Sequence, residues 1–102
     1  MTHPAIGQRC IIRTYASGVH LGTVENVENG GMFSRATIKD SRRIRYWYGA
    51  RSLSELALNG LQTAKSQVHD NLAIHYIEDC IEFIPATAES IASIEAATNE
   101  SK

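Results

Sequence analysis

Asn29-Gly30-Gly31 separates two runs of strand-forming residues, VHLGTVENV at 19–27 and MFSRATIK at 32–39. Asn-Gly accepts the paired positive φ angles of a tight hairpin, so these runs are expected to pair antiparallel. Before them stands RCIIRTY at 9–15, a β-branched and aromatic run closed by the turn Ala16-Ser17-Gly18. After them, Asp40-Ser41 leads into RRIRYWY at 42–48. The first half therefore reads as a four-stranded antiparallel meander over about 8–48. Ser52-Leu53-Ser54-Glu55 is a capping box that opens a short helix over about 52–59, with Leu53, Leu56 and Ala57 as its apolar face and Gly60 as its stop. The polar stretch 62–71 reads as loop, with room for a brief strand. LAIHYIEDCIEFI at 72–84 is strand-like, too long to stay straight, and Pro85 ends it. Thr87 caps a last helix over about 88–97, on which Ala88, Ile91, Ile94 and Ala97 share a face. The final TNESK is expected to fray. At 102 residues this is one α+β domain: a small antiparallel β-sheet or partly open barrel, one short helix and a C-terminal helix.

Charge narrows the partners. Residues 1–53 hold seven Arg and Lys39 against Glu25, Glu28 and Asp40, a net +5. Residues 54–102 hold Lys65 and Lys102 against eight acids, a net −6, and the whole chain is −1. A uniform field that would gather nucleic acid is thus not expected, and a local arginine-rich site suits a small anion better. The asymmetry also suggests contact between the halves of neighbouring subunits. No apolar run approaches the ~20 residues that span a bilayer, and MTHPAIGQRC lacks the basic and apolar regions of a signal peptide. A cytosolic chain is expected. Cys10 and Cys80 sit in apolar strands without CxxC spacing, which points to buried free thiols.

The chemistry concentrates in DSRRIRYWYGARSL at 40–53, which carries four of the arginines, the only tryptophan and two tyrosines. Strand alternation places Arg43, Arg45 and Trp47 on one face and Ile44, Tyr46 and Tyr48 on the other, the natural core face. Guanidinium forks grip phosphate and an indole stacks a base; an arginine-tryptophan face is equally suited to a protein contact. Arg13 and Tyr15 alternate on the first strand and are placed to flank a loop-side pocket. Arg51 adds charge at the start of the capped helix, beside backbone N–H groups that favour anions. Gly18 and Gly22 allow close backbone approach, for a ligand or for a tight twist. His20 lies in a strand, His3 in a tail, His69 in a loop and His75 in a later strand. No histidine or cysteine spacing forms a metal site, and no P-loop, dinucleotide fingerprint or nucleophile elbow occurs, so no metal, cofactor or catalytic constellation is expected. Glu78, Asp79 and Glu82 read as a solvated edge or as a contact for a partner's arginines.

Three blocks, RTYASGVHLGTV at 13–24, ATIKDSRRIRYWYGARSLSELALNGL at 36–61 and IEDCIEFIPATAESIASI at 77–94, resemble a group of small phage and prophage proteins. Arg45 departs from that pattern, which has a bulky apolar residue there. The group is similar to the phage anti-defence "sponge" proteins that counter Thoeris immunity. The resemblance implies a non-enzymatic homo-oligomer in the cytoplasm of the infected bacterium. It would sequester a cyclic ADP-ribose isomer or a cyclic oligonucleotide without cleaving it. Ligand contacts are then expected from Arg13, Tyr15, His20, Arg43, Trp47 and Arg51. The competing readings are a single-stranded nucleic-acid module, a protein-binding inhibitory module and a phosphoesterase built on His20.

Overall fold

The alternating segments of the first half form three antiparallel strands, β1 (Arg9–Thr14), β2 (Val19–Asn29) and β3 (Ser34–Tyr46). The computed structural model describes residues 3–98 of the chain. Three strands replace the expected four, because 32–39 and 42–48 are not separate. Asp40 adopts a positive φ of 50°, a conformation Asp tolerates better than most residues, and bends β3 without interrupting it. The Asn29–Gly31 turn closes the β2–β3 hairpin as its sequence indicates, with Asn29 Oδ1 accepting the Gly31 N–H at 3.0 Å.

The late apolar run is β5 (Leu72–Pro85), which pairs first with β3 and then with β1. The exchange of partner occurs at Cys80, beside a register slip between Arg13 and Thr14. A two-residue strand, β4 (Gln67–Val68), adds to the end of β3 after a 3-10 turn at Thr63–Lys65. The result is one five-stranded antiparallel sheet in the order β2-β1-β5-β3-β4. Because β2 also pairs with β3, the ladder returns on itself through β1, β2, β3 and β5.

That closure divides the core. Cys10, Ile12, Val24, Ala36, Ile38, Ile77 and Cys80 meet inside the ring, with Ala5. Ile11, Leu21 and Ile44 point outward, where Leu56, Ala57, Leu61, Val68, Ile94 and Ala97 cover them. Strand β1 is therefore buried on both faces, which is why RCII reads as continuously apolar rather than alternating. Gly22 faces the ring interior, where a Cβ would collide with Ile38 Cγ2. A tight approach of strands thus explains it without a ligand.

The covering layer is α1 (Leu53–Asn59) and α2 (Ala88–Glu95). Ser52 Oγ accepts the Glu55 N–H and Thr87 Oγ1 accepts the Ser90 N–H, each at 3.1 Å, as their sequence positions indicate. Glu55 does not complete the reciprocal half of the box; its carboxylate turns to Arg51 Nε at 3.2 Å. Gly60 ends α1 at a φ of 82°, against Ser93 of α2.

Other expectations change. Tyr46 and Tyr48 do not face the core: they are 51% and 41% exposed. The ladder slips between Ile44 and Tyr46 and β3 ends there, so it is Trp47 that packs on the outer core cluster. His3 is no tail residue; its ring meets Phe83 edge-on and its Nδ1 accepts the Ala5 N–H. Helix α2 stops at Glu95 rather than 97, though Ala97 stays buried. Of the segment expected to fray, Thr98 is described and 99–102 lie outside the described residues. Both cysteines are free and buried.

Candidate functional site

Four of the six candidate ligand residues converge. Arg13 and Tyr15 at the end of β1, and Trp47 and Arg51 before α1, line one groove of about 730 Å³ together with Gly18, Ser52, Ser54 and Glu82. The shape follows from the sheet. The Tyr15–Gly18 loop stands beside the segment that runs from the end of β3 to α1. The indole is half-buried: it packs against the outer core cluster and also lines the groove. Tyr15 is 71% exposed, and its ring lies 5.1 Å from that of Phe33 in the β2–β3 hairpin.

The groove's guanidiniums are loosely held. Arg13 Nη1 is 3.9 Å from Glu82 Oε1, an ion pair too long for a hydrogen bond. The Arg51 side chain is 91% exposed and, among the described residues, pairs only with Glu55, one turn on. Such exposed pairs contribute about 0.2–1 kcal/mol, so an incoming anion competes with them readily.

One loop sets the groove's rim, and Asp79 fastens it. The Tyr15 N–H donates to the Asp79 carbonyl at 2.9 Å, the Ala16 N–H to Asp79 Oδ2 at 2.8 Å and the Ser17 hydroxyl to Asp79 Oδ1 at 2.7 Å. Burial alone would raise the Asp79 carboxyl, but the Ser17 hydroxyl and the nearby backbone N–H groups outweigh it and hold the group below its usual value.

Arg43 and His20 lie elsewhere, and the expectation that Arg43 and Trp47 share one face is corrected. The end of β3 at Tyr46 turns Trp47 toward the core. Arg43 instead faces His20 across the ladder and lies behind the loop, its Nε 3.9 Å from where a Cβ on Gly18 would stand. His20 is not a surface contact but is fully buried. Its Nε2 sits 2.9 Å from the Ser17 carbonyl, which only accepts, so Nε2 carries the hydrogen. Nδ1 is then an acceptor with no partner among the described residues. The His75 ring stands edge-on at 5.0 Å, and His75 Nδ1 shares a hydrogen bond with Ser41 Oγ at 3.0 Å. Burial, then the fields of His75 and Arg43, push His20 down to about 4, against weaker opposing contributions from the Ser17 hydrogen bond and Asp79. Burial and Arg43 lower His75 as well. His20 and His75 thus form a polar pair, with the exposed Arg43 near enough to act on both.

Sequence reasoning missed Glu82, Ser52 and Ser54 as groove residues. Glu82 carried no local signal, because its place opposite Arg13 comes from the long-range register between β1 and β5. A second hollow of about 450 Å³, lined by Arg9, Thr23, Asp40, Arg42, Asp70, Asn71 and Glu95, offers less available positive charge. There Arg9 is engaged by Glu95 and Thr23, and Arg42 by backbone carbonyls. Among the described residues no group of three or more His, Cys, Asp or Glu could hold a metal ion, and no helix is long and apolar enough to cross a membrane.

The model of the family described as "Domain of unknown function (DUF6948)" matches residues 7–94, from the turn before β1 to the last turn of α2. The chain belongs to this family. The match spans both walls of the groove, so the groove is part of the DUF6948 domain rather than an appendage to it. No curated protein and no solved structure matches the chain.

Proposed function

We propose that this DUF6948 protein binds a cyclic nucleotide immune signal, a cyclic ADP-ribose isomer or a cyclic oligonucleotide, and sequesters it without cleaving it. In this reading it is a phage anti-defence protein, a homo-oligomer that acts in the cytoplasm of the infected bacterium. One observation carries the binding part: Arg13, Arg51, Tyr15 and Trp47, from separate segments, line a single groove. Its volume falls in the roughly 300–1,000 Å³ range of small-ligand sites. Two weakly paired guanidiniums suit an anionic ligand, and two aromatic rings suit a base. The resemblance of the three sequence blocks supplies the anti-defence context. The exposed apolar side chains of β5, Leu72, Ile74, Tyr76 and Ile81, favour self-association.

The test is uptake and release. Purified protein is incubated with cyclic ADP-ribose isomers and cyclic oligonucleotides, separated from free ligand, then heated. Intact ligand returning after heat supports sequestration; altered ligand means an enzyme; no uptake sinks the proposal. Arg51→Ala and Trp47→Ala should each weaken capture by about tenfold or more while the fold persists. Unchanged capture in both would remove the groove from consideration. Arg43→Ala, behind the Gly18 turn, should weaken capture less than Arg51→Ala.

A further inference from the structure

We infer that Glu82 is the specificity residue of this groove and accepts hydrogen bonds from the ribose hydroxyls of a bound nucleotide, an assignment that rests on the nucleotide-binding reading. Glu82 lies on β5 directly across the ladder from Arg13 on β1. Among the described residues it is the only acidic one lining the groove. Its nearest cation, Arg13 Nη1, stays at 3.9 Å, and no hydrogen bond reaches its carboxylate among the described residues.

The other acids of the same strand do not line the groove. Asp79 accepts from Ser17 and Ala16, and Glu78 faces Arg35 outside the groove at 3.8 Å. Among the described acids of β5, Glu82 alone presents a half-exposed carboxylate to a ligand-sized space. A carboxylate there repels phosphate, so it directs the phosphates toward Arg51. The ligand must then present donors beside Arg13. A ribose offers hydroxyl donors at carboxylate spacing, the contact by which acidic residues hold ribose in dinucleotide folds. A site that receives a hydroxyl discriminates against the analogue that lacks it, since the bound ligand then covers the carboxylate without supplying the hydrogen bond that water gave it.

The experiment compares cyclic ADP-ribose and cyclic di-AMP, each against its 2′-deoxy counterpart, by equilibrium binding to the full chain. Wild-type protein should bind a ribo probe on the order of 10- to 100-fold more tightly than its deoxy partner. Glu82→Gln should bring that ratio close to one, and Glu82→Asp should retain part of it. Arg51→Ala should weaken both probes of a pair together and leave the ratio intact, which a merely structural effect on Glu82 would not reproduce. Glu82 is half-exposed, and far-UV circular dichroism checks that its variants fold. A wild-type ratio near one, or a ratio that survives Glu82→Gln, overturns the assignment and leaves nucleotide binding standing. Failure of wild-type protein to bind either ribo probe overturns both.

Discussion

His20 shows how far a residue's role can lie from its apparent exposure in a strand. It sits one position from Leu21, and alternation sends it inside the ring, where burial favours the neutral imidazole. The unfolded chain takes up a proton on this group near 6.5, the folded chain only near 4. Between those values the unfolded state binds more protons, so lowering the pH destabilises the fold across that window and the effect levels off below it. His20 alone accounts for about 3 kcal/mol of this loss, at about 1.4 kcal/mol per pH unit of separation. His75 acts in the same direction, and Arg43 sharpens both. Urea unfolding at pH 7 and pH 5 should show the slope, and His20→Gln, which keeps a donor for the Ser17 carbonyl, should remove most of it. A slope unchanged in that variant would assign it to other groups. The thiols are a second residue-scale case. Burial, with Asp79 and Glu78 nearby, pushes Cys80 up to about 12, and burial raises Cys10. Neither should react with iodoacetamide at pH 8 in native protein, and both should react in urea; mass spectrometry reads the difference.

At the scale of elements, Arg42 couples β3 to the last helix. All five of its N–H donors meet backbone carbonyls: Nε that of His69, Nη1 those of Ile94 and Glu95, Nη2 those of Val68 and Ala97, at 2.8–3.3 Å. The carbonyls at the end of α2 are the orphans of that helix, and a cation there also suits its dipole. Arg42→Ala should cost on the order of 3 kcal/mol, read as a lower urea midpoint, and should raise amide exchange in α2 before other elements. Arg42→Lys should recover only part, because an ammonium cannot span five acceptors. Uniform exchange across all elements in Arg42→Ala would count against a local tether. Its neighbour Arg43, one residue on, makes none of these contacts, although the sequence RRIR presents the two alike.

At the scale of the whole molecule, the charge asymmetry has an internal answer. Arg9 pairs with Glu95, Arg13 with Glu82, Arg35 with Glu78 and Arg51 with Glu55, so the basic first half and acidic second half meet within one chain. The asymmetry therefore no longer argues for contact between subunits, and self-association rests on the resemblance and the exposed β5 face. Sedimentation should show an assembly larger than 11.2 kDa; a monomer at working concentration would remove the oligomer from the proposal. With acids beside each of these arginines and a net charge of −1, binding of a single-stranded oligonucleotide should be weak. Capture of a compact nucleotide should depend only shallowly on salt, where a polyanion-binding surface would show a steep dependence.

Local chemistry wrote much of this molecule into the sequence. The Asn29–Gly31 hairpin, the Ser52 and Thr87 caps and the Gly60 stop are set by residues within a few positions of one another, where backbone preference and hydrogen bonding act before any packing. Long-range pairing decided the rest. No local rule shows that β5 leaves β3 for β1 at Cys80, that Trp47 rather than Tyr46 meets the core, or that Glu82 arrives opposite Arg13. Those outcomes follow from closing the ladder on itself, since the ring has one interior and the register of every strand must serve it at once.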